Sequence, residues 1–197
     1  MMTLPNILTF FRILLTPVFI ICLFKNFPYA HVWALIIFVV ASITDAYDGY
    51  YARKNDMVTE TGRFLDPLAD KILVSSAFIS FAIMGLIDFW MVGLIIFRDL
   101  FVTGLRMIMS RNGLNMMTSN IAKSKTSAQI GIIIFTLLYL SLKGIDLLFS
   151  SEIHWFINEY ELVYYLTLIV SIFTLYTGFS YIQDNRKAIK EIMNQYP

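Results

Sequence analysis

Apolar residues form six long runs along the chain, and short polar stretches separate them. The runs cover residues 7–24, 30–51, 68–87, 89–109, 127–149 and 160–183. Each is close to the roughly 20 residues that a helix needs to cross the hydrocarbon core of a bilayer. Because backbone groups in lipid must be hydrogen-bonded within the chain, such runs predict α-helices. The pattern therefore predicts an all-α, polytopic membrane protein with six transmembrane helices, arranged as a single domain over residues 1–197.

The composition agrees with this class of protein. Hydrophobic residues make up 58% of the 197 residues and charged residues only 15%, whereas soluble domains are about 25% charged. The net charge is +1, and no basic stripe with interleaved aromatic residues indicates nucleic-acid binding. The single cysteine, Cys22, excludes a disulfide framework and a cysteine-based metal site. Residues 7–24 lack the flanking features of a cleaved signal peptide, so we expect them to remain as a helix.

The basic residues predict an orientation in the membrane. If successive helices alternate in direction, all of the 15 Lys and Arg residues except Lys25 and Lys143 lie on one side. An excess of basic residues marks the cytoplasmic side. We therefore expect the protein to lie in a bacterial plasma membrane, with both termini and the segment 45–70 on its cytoplasmic side. At the opposite interface an aromatic belt is expected, formed by Tyr29, Trp33, Trp90, Trp155 and Tyr160.

Four aspartates lie between the second and third runs. Asp45 and Asp48 are three residues apart at the end of the second predicted helix, and Asp66 and Asp70 are four residues apart at the start of the third. Each spacing places a pair on one helix face. Because ionisable groups at a membrane edge are costly, they usually mark a functional site. Asp66 precedes Pro67 and, taken alone, is also compatible with a helix N-cap.

If the second and third helices pack side by side, the four carboxylates converge and repel one another. Two divalent cations would offset that repulsion, and oxygen ligands favour Mg²⁺ or Mn²⁺. Two-metal sites are typical of chemistry at phosphoryl centres. The neighbouring residues suit a phosphate ligand: Gly49 and Ala52 leave room on the carboxylate face, and Arg53 can neutralise a phosphate. Gly62 is expected to give the connecting loop conformational freedom.

The segment 45–70 carries a specific signature. It matches D-x2-D-G-x2-A-R-x8-G-x3-D-x3-D at all eight fixed positions, and the chain thereby resembles the CDP-alcohol phosphatidyltransferase family. The resemblance implies transfer of a phosphatidyl or substituted phosphoryl group from a CDP-linked donor to an alcohol, with release of CMP. It also implies that Asp45, Asp48 and Asp66 are metal ligands, and that Asp70 is the general base and touches a metal. A homodimer is implied in the same way.

Other segments resemble the bacterial phosphatidylglycerophosphate synthases of that family. The first predicted helix opens with Pro5, Asn6, Thr9 and Arg12, and this segment resembles the start of those synthases. This resemblance implies that Asn6 and Thr9 contact the cytidine of CDP-diacylglycerol, although both residues could instead cap the helix. It also implies glycerol 3-phosphate as the acceptor.

Basic residues around the fourth predicted helix fit an anionic acceptor. The resemblance is carried here by three segments: Arg98-Asp99, Leu105-Arg106 and residues 123–129. Single positions depart from the residues that are commoner in those synthases, namely Asp99, Met107 and Ala122. These departures leave serine, inositol phosphate and phosphatidylglycerol open as acceptors. The candidate phosphate-binding residues are Arg98, Arg106, Lys123 and Lys125. Topology alone could account for such charges, and for Arg111 we favour that explanation.

Arg98 and Arg106 lie within an apolar run, where a charged group is expected to have a partner. Asp99 is a candidate ion-pair partner.

A divalent-cation transporter is the alternative from another class of protein. A transporter would place its acids near the bilayer midplane and on several helices. Here the four aspartates lie at the adjoining ends of two helices. The pattern therefore favours the enzyme.

Overall fold

A computed structural model describes the backbone of residues 4–54, 60–112, 120–142, 150–186 and 188–190. Side chains are described for residues 10–44, 71–110, 112, 124–142, 152–186 and 188–190. Throughout these ranges the regular structure is helical, without a strand. The helices are α1 (Leu4–Phe24), α2 (Ala30–Lys54), α3 (Glu60–Ile83), α4 (Phe89–Arg111), α5 (Asn120–Leu142), α6 (Ser150–Glu159) and α7 (Leu162–Asp184). The predicted all-α class is therefore confirmed.

Two of the long helices begin about two turns earlier than the apolar pattern predicted. Helix α3 begins at Glu60 instead of residue 68, and α5 begins at Asn120 instead of residue 127. Apolar runs mark only the part of a helix that suits lipid, and a helix continues into polar sequence whose residues have adequate helix propensity. Asp66 consequently lies inside α3, and its interpretation as an N-cap is wrong.

Helix α6 was not predicted, because its sequence falls in a stretch taken as a polar break. It has 10 residues, too few to cross a bilayer, and it packs against α5 and α7. Ile157 of α6 is buried, whereas Ile153, Trp155 and Phe156 are exposed. Helix α6 is thus a short amphipathic element at the end of the bundle where α5 ends and α7 begins.

The long helices pack in a closed ring. Helices α1, α2, α5, α7, α4 and α3 contact one another in that order, α3 returns to α1, and α3 also contacts α5 across the ring. Fully buried side chains at the centre include Phe19, Phe38, Phe78 and Ile133. In this order α1 contacts both α2 and α3, and α7 lies between α4 and α5.

Helix α7 has its polar residues inside and its apolar residues outside. Its buried residues include Thr167, Ser171, Thr174 and Thr177, whereas Ile169, Ile172 and Phe179 are exposed. Soluble proteins show the opposite arrangement, and small or hydroxyl residues at helix interfaces are typical of membrane proteins. By length and composition, two segments of the described chain could cross a membrane, Ser124–Leu142 and Leu162–Asp184. The number of six spans stays a prediction.

The turn between α3 and α4 is closed by a glycine. Gly85 has φ +74°, its N–H donates to the Ala82 carbonyl oxygen at 3.0 Å, and the Leu86 N–H donates to the Phe81 carbonyl oxygen at 3.0 Å. This pair of bonds is the Schellman motif that ends many helices. Glycine is favoured there because other residues rarely adopt a positive φ.

The beginning of α4 is tied to α7. Asp88 adopts an extended backbone before α4, and its carboxylate accepts hydrogen bonds from Trp90 Nε1 and Tyr164 Oη, each at 3.0 Å. These bonds join the two helices at the end opposite the acidic segment.

Candidate active site

Helices α2 and α3 carry the acidic motif. Asp45 and Asp48 lie in the last turns of α2, and Asp66 and Asp70 lie in the first half of α3. Since the backbone is helical through both pairs, the two residues of each pair share a helix face. The side chains of all four lie outside the described ones, so their convergence stays a prediction.

The predicted donor-binding residues are also helical. Asn6 and Thr9 lie inside α1, which already includes Leu4, and so neither is its N-cap. Gly62 lies within α3 and not in a loop, because α3 begins at Glu60, before the apolar run. The remaining predicted residues of this group are Gly49, Ala52 and Arg53, all in α2. The side chains of the whole group, and those of Lys123 in α5 and Arg111 in α4, lie outside the described ones.

A buried ion pair joins α4 to α5. Lys125 Nζ lies 2.5 Å from Asp99 Oδ1, and Arg98 Nη1 lies 3.2 Å from the same oxygen. Arg98 is 8% exposed, and Asp99 and Lys125 are each 3% exposed. Burying charges in an apolar bundle is costly unless they are paired. The ion-pair role predicted for Asp99 is therefore confirmed.

Gln129 extends this cluster toward α7. Its amide Nε2 donates to Asp99 Oδ2 at 3.3 Å and to Thr174 Oγ1 at 3.4 Å. Gln129 is 1% exposed. Asp99 thus accepts hydrogen bonds from residues of α4 and α5, and Gln129 links it to α7.

Arg98 reaches α7 through a gap left by a glycine. Its Nη2 donates to Thr177 Oγ1 at 3.0 Å. A Cβ atom at Gly178 would lie 2.8 Å from Arg98 Cγ and 3.1 Å from Nε. Because real Cβ contacts are not this short, a side chain at position 178 would displace the arginine.

Arg106 contacts α7 about one turn further on. Its Nε donates to Tyr181 Oη at 3.3 Å, and its guanidinium carbon lies 5.5 Å from the centre of the Tyr181 ring. Tyr181 is 2% exposed, whereas Arg106 is exposed. The buried Tyr181 thus holds Arg106 at its Nε, while the Arg106 side chain remains accessible to solvent.

The cluster lies at the level of the acidic motif. Lys71, the residue after Asp70, interacts electrostatically with both Asp99 and Lys125. Helix α3 also packs against α4 and α5. The segment of α3 that follows Asp70 is therefore adjacent to the buried ion pair.

Arg12 is a further buried cation. It is 1% exposed, and it belongs to the opening segment of α1 that carries the resemblance to the phosphatidylglycerophosphate synthases. Helix α1 packs against α2 and α3, so Arg12 lies in the part of the bundle that carries the acidic motif.

Sequence reasoning also missed the residues of α7 that contact Arg98, Arg106 and Gln129. Thr174, Thr177, Gly178 and Tyr181 follow one another at helical spacing on the buried face of α7. Polar and small residues at such spacing within an apolar run were the available signal.

Comparisons with known proteins agree with the motif. The family model for CDP-alcohol phosphatidyltransferase matches residues 2–177. The chain is 37% identical to the CDP-diacylglycerol–glycerol-3-phosphate 3-phosphatidyltransferase of Bacillus subtilis, over 96% of this chain and 98% of that protein. It is 36% identical to the protein of the same name from Rickettsia bellii, over 93% of this chain and 96% of that protein. With its eight-residue signature carried by α2 and α3, this chain belongs to the CDP-alcohol phosphatidyltransferase family.

Proposed function

We propose that this protein transfers the phosphatidyl group of CDP-diacylglycerol to sn-glycerol 3-phosphate, giving phosphatidylglycerophosphate and CMP. The observation that carries the proposal is similarity over nearly the whole chain to relatives named for this reaction. Helix α7 supports the proposal, because it buries polar residues and exposes apolar ones as a membrane helix does. The donor is a lipid whose acyl chains stay in the bilayer.

The donor set of the acidic motif fits two divalent cations, Mg²⁺ or Mn²⁺. Asp45 and Asp48 share a face of α2, Asp66 and Asp70 share a face of α3, and α1 contacts both helices. Four carboxylates would balance the charge of two such ions, and oxygen ligands match their preference. When bound, the ions would neutralise the diphosphate and the charge that develops on the transferring oxygens.

The reaction requires one proton transfer. The 1-hydroxyl of glycerol 3-phosphate attacks the phosphorus that carries the diacylglycerol, a new oxygen–phosphorus bond forms, and the bond to CMP breaks. Asp70 accepts the hydroxyl proton as general base. Gly49, Ala52, Arg53 and Gly62 bind the diphosphate part of the donor.

Asn6 and Thr9 on α1 bind the cytidine of the donor. Helix α1 contacts α2 and α3, a position next to the two helices that carry the diphosphate-binding residues.

Basic residues of α4 and α5 bind the phosphate of the acceptor. They are Arg98, Arg106, Lys123 and Lys125. Among the described side chains, Asp99 is the acid that pairs with Arg98 and Lys125, so this buried group carries one more positive than negative charge. A bound phosphate would reduce this excess of positive charge, and charge-assisted hydrogen bonds to it are favourable. Serine carries a carboxylate but no phosphate, so it would gain less from these cations.

The distribution of charges supports a cytoplasmic active site in a bacterial plasma membrane, with both termini on the same side. Membrane lipids are then the surroundings of the exposed apolar residues of α7. The family also suggests that the enzyme acts as a homodimer.

An assay of the purified protein tests the proposal directly. CMP release is measured with CDP-diacylglycerol and, separately, glycerol 3-phosphate, serine, inositol phosphate and phosphatidylglycerol as acceptors. Glycerol 3-phosphate should give the highest kcat/KM, and activity should disappear with excess EDTA and return with Mg²⁺ or Mn²⁺. Preference for another acceptor would overturn the acceptor assignment, and full turnover in EDTA would overturn the metal assignment.

A further inference from the structure

One face of α7 contacts the cations of α4 and the amide of α5. We call Thr174, Thr177, Gly178 and Tyr181 the α7 polar face. Thr177 accepts a hydrogen bond from Arg98, Tyr181 accepts one from Arg106, and Thr174 accepts one from Gln129. Gly178 and Tyr181 lie beyond residue 177, where the match to the family model ends.

From these contacts we infer that the α7 polar face positions the acceptor-binding cations and thereby determines the enzyme's affinity for a phosphorylated acceptor. The inference rests on the proposed function. Thr177 and Gly178 act through Arg98, Tyr181 acts through Arg106, and Thr174 acts through Gln129, so all four are positioning residues and not catalytic ones.

The contact at Arg106 carries most of the argument. Arg106 is exposed, so its long side chain would lose considerable conformational freedom on binding a phosphate. Tyr181 is buried, and it holds Arg106 by a hydrogen bond and by its ring. A cation that is already held in place loses less entropy when the ligand binds.

The contact at Arg98 is of a different kind. Arg98 is buried, and Thr177 accepts a hydrogen bond from its Nη2 while Asp99 pairs with Nη1. Gly178 leaves the space through which the side chain passes. A larger residue at 178, or loss of the hydroxyl at 177, would reorient the guanidinium without removing its charge.

The chain offers a matched control for each substitution. Tyr181→Phe is compared with Tyr176→Phe, since Tyr176 is on the same helix but 58% exposed. Thr177→Val is compared with Thr167→Val, because Thr167 is buried on α7 and donates only to the Val163 carbonyl oxygen among the described contacts. Gly178→Ala is compared with Gly131→Ala, where a Cβ atom would meet nothing within 4 Å.

The experiment measures KM and kcat for glycerol 3-phosphate, KM for CDP-diacylglycerol, and thermal stability in detergent. Tyr181→Phe and Thr177→Val should each raise KM for glycerol 3-phosphate by about 3- to 30-fold, the effect of removing a hydrogen-bond partner that orients a charged group. KM for CDP-diacylglycerol should stay within about twofold, as should all constants of the control variants. Thr177→Ser keeps the hydroxyl and should behave like the wild type.

The outcomes separate this inference from the function it rests on. If the wild type does not use glycerol 3-phosphate, the proposed function fails and the inference fails with it. If the wild type uses it but Tyr181→Phe and Thr177→Val leave its KM unchanged, or raise both KM values equally, the inference alone is wrong. Tyr181→Phe removes a single oxygen atom, so the test remains decisive even if Gly178→Ala does not fold.

Discussion

Individual residues divide into those whose role the sequence reveals and those whose partners only the fold reveals. The spacing of Asp45, Asp48, Asp66 and Asp70 predicted a shared site, because the period of a helix is known in advance. The partners of Arg98 could not be predicted in this way. Thr177 is 79 residues away in the sequence, and contact between them depends on α7 packing against α4.

Asp70→Asn should separate proton transfer from donor binding. If Asp70 is the base, kcat should fall by about 10²–10⁴-fold, the usual loss when general base catalysis is removed. CDP-diacylglycerol should still bind, which equilibrium binding of the labelled donor would measure. Asp184→Asn is the control, because Asp184 is exposed at the end of α7. A kcat within a few-fold of the wild type would exclude Asp70 as the base.

Arg106→Ala and Lys125→Ala should differ in their effects on stability. If both residues bind the acceptor phosphate as proposed, both variants should lower kcat/KM for glycerol 3-phosphate by about 10–100-fold, since each would remove a charge-assisted hydrogen bond to it. Lys125→Ala also leaves Asp99 with less positive charge in a buried site, and breaking a buried pair costs about 3–5 kcal/mol. Arg106 is exposed, so its variant should keep a melting temperature near that of the wild type. Equal losses of stability would contradict the difference in burial.

At the scale of elements, hydrophobic runs predicted the long helices and their order but not all of their ends. Helix α3 extends to Glu60 because helical backbone does not stop where lipid-facing sequence stops. Helix α6 was missed because it has no long apolar run, and Ile157 is the buried residue among its described side chains. The polar interior of α7 was visible as a pattern, but its importance depends on which helices face it.

Gly85 allows a prediction at this scale. Gly85→Ala places a side chain at φ +74°, a backbone conformation that costs L-residues about 1–2 kcal/mol. The melting temperature should fall, while KM for both substrates should stay unchanged because the turn lies at the end of the bundle away from the acidic segment. Gly131→Ala, within α5, should leave stability unchanged or raise it slightly, since alanine favours helix more than glycine by about 1 kcal/mol. A Gly85→Ala variant as stable as Gly131→Ala would show that the turn adapts without strain.

For the whole molecule, the order of packing relates the two parts of the proposed site. Helix α3 carries Asp66 and Asp70 and also contacts α4 and α5, so one helix joins the acidic motif to the buried ion pair. Lys71 lies between them in sequence and interacts electrostatically with both members of that pair. A donor held by the acidic motif and an acceptor held by the cations would therefore meet alongside α3.

The orientation predicted from the charges can be tested in intact cells. Most of the basic residues are predicted to lie on the same side of the membrane as the acidic motif, whereas Asn26 lies at the opposite end of the bundle, between α1 and α2. In a background where Cys22 is replaced by alanine, a cysteine at exposed Asn26 should react with a membrane-impermeant maleimide in intact cells. A cysteine at exposed Asp184 should react only after the cells are opened, because the positive-inside rule places that end in the cytoplasm. The reverse pattern would place the acidic motif outside the cell, away from the cytoplasmic pools of glycerol 3-phosphate on which the proposed reaction depends.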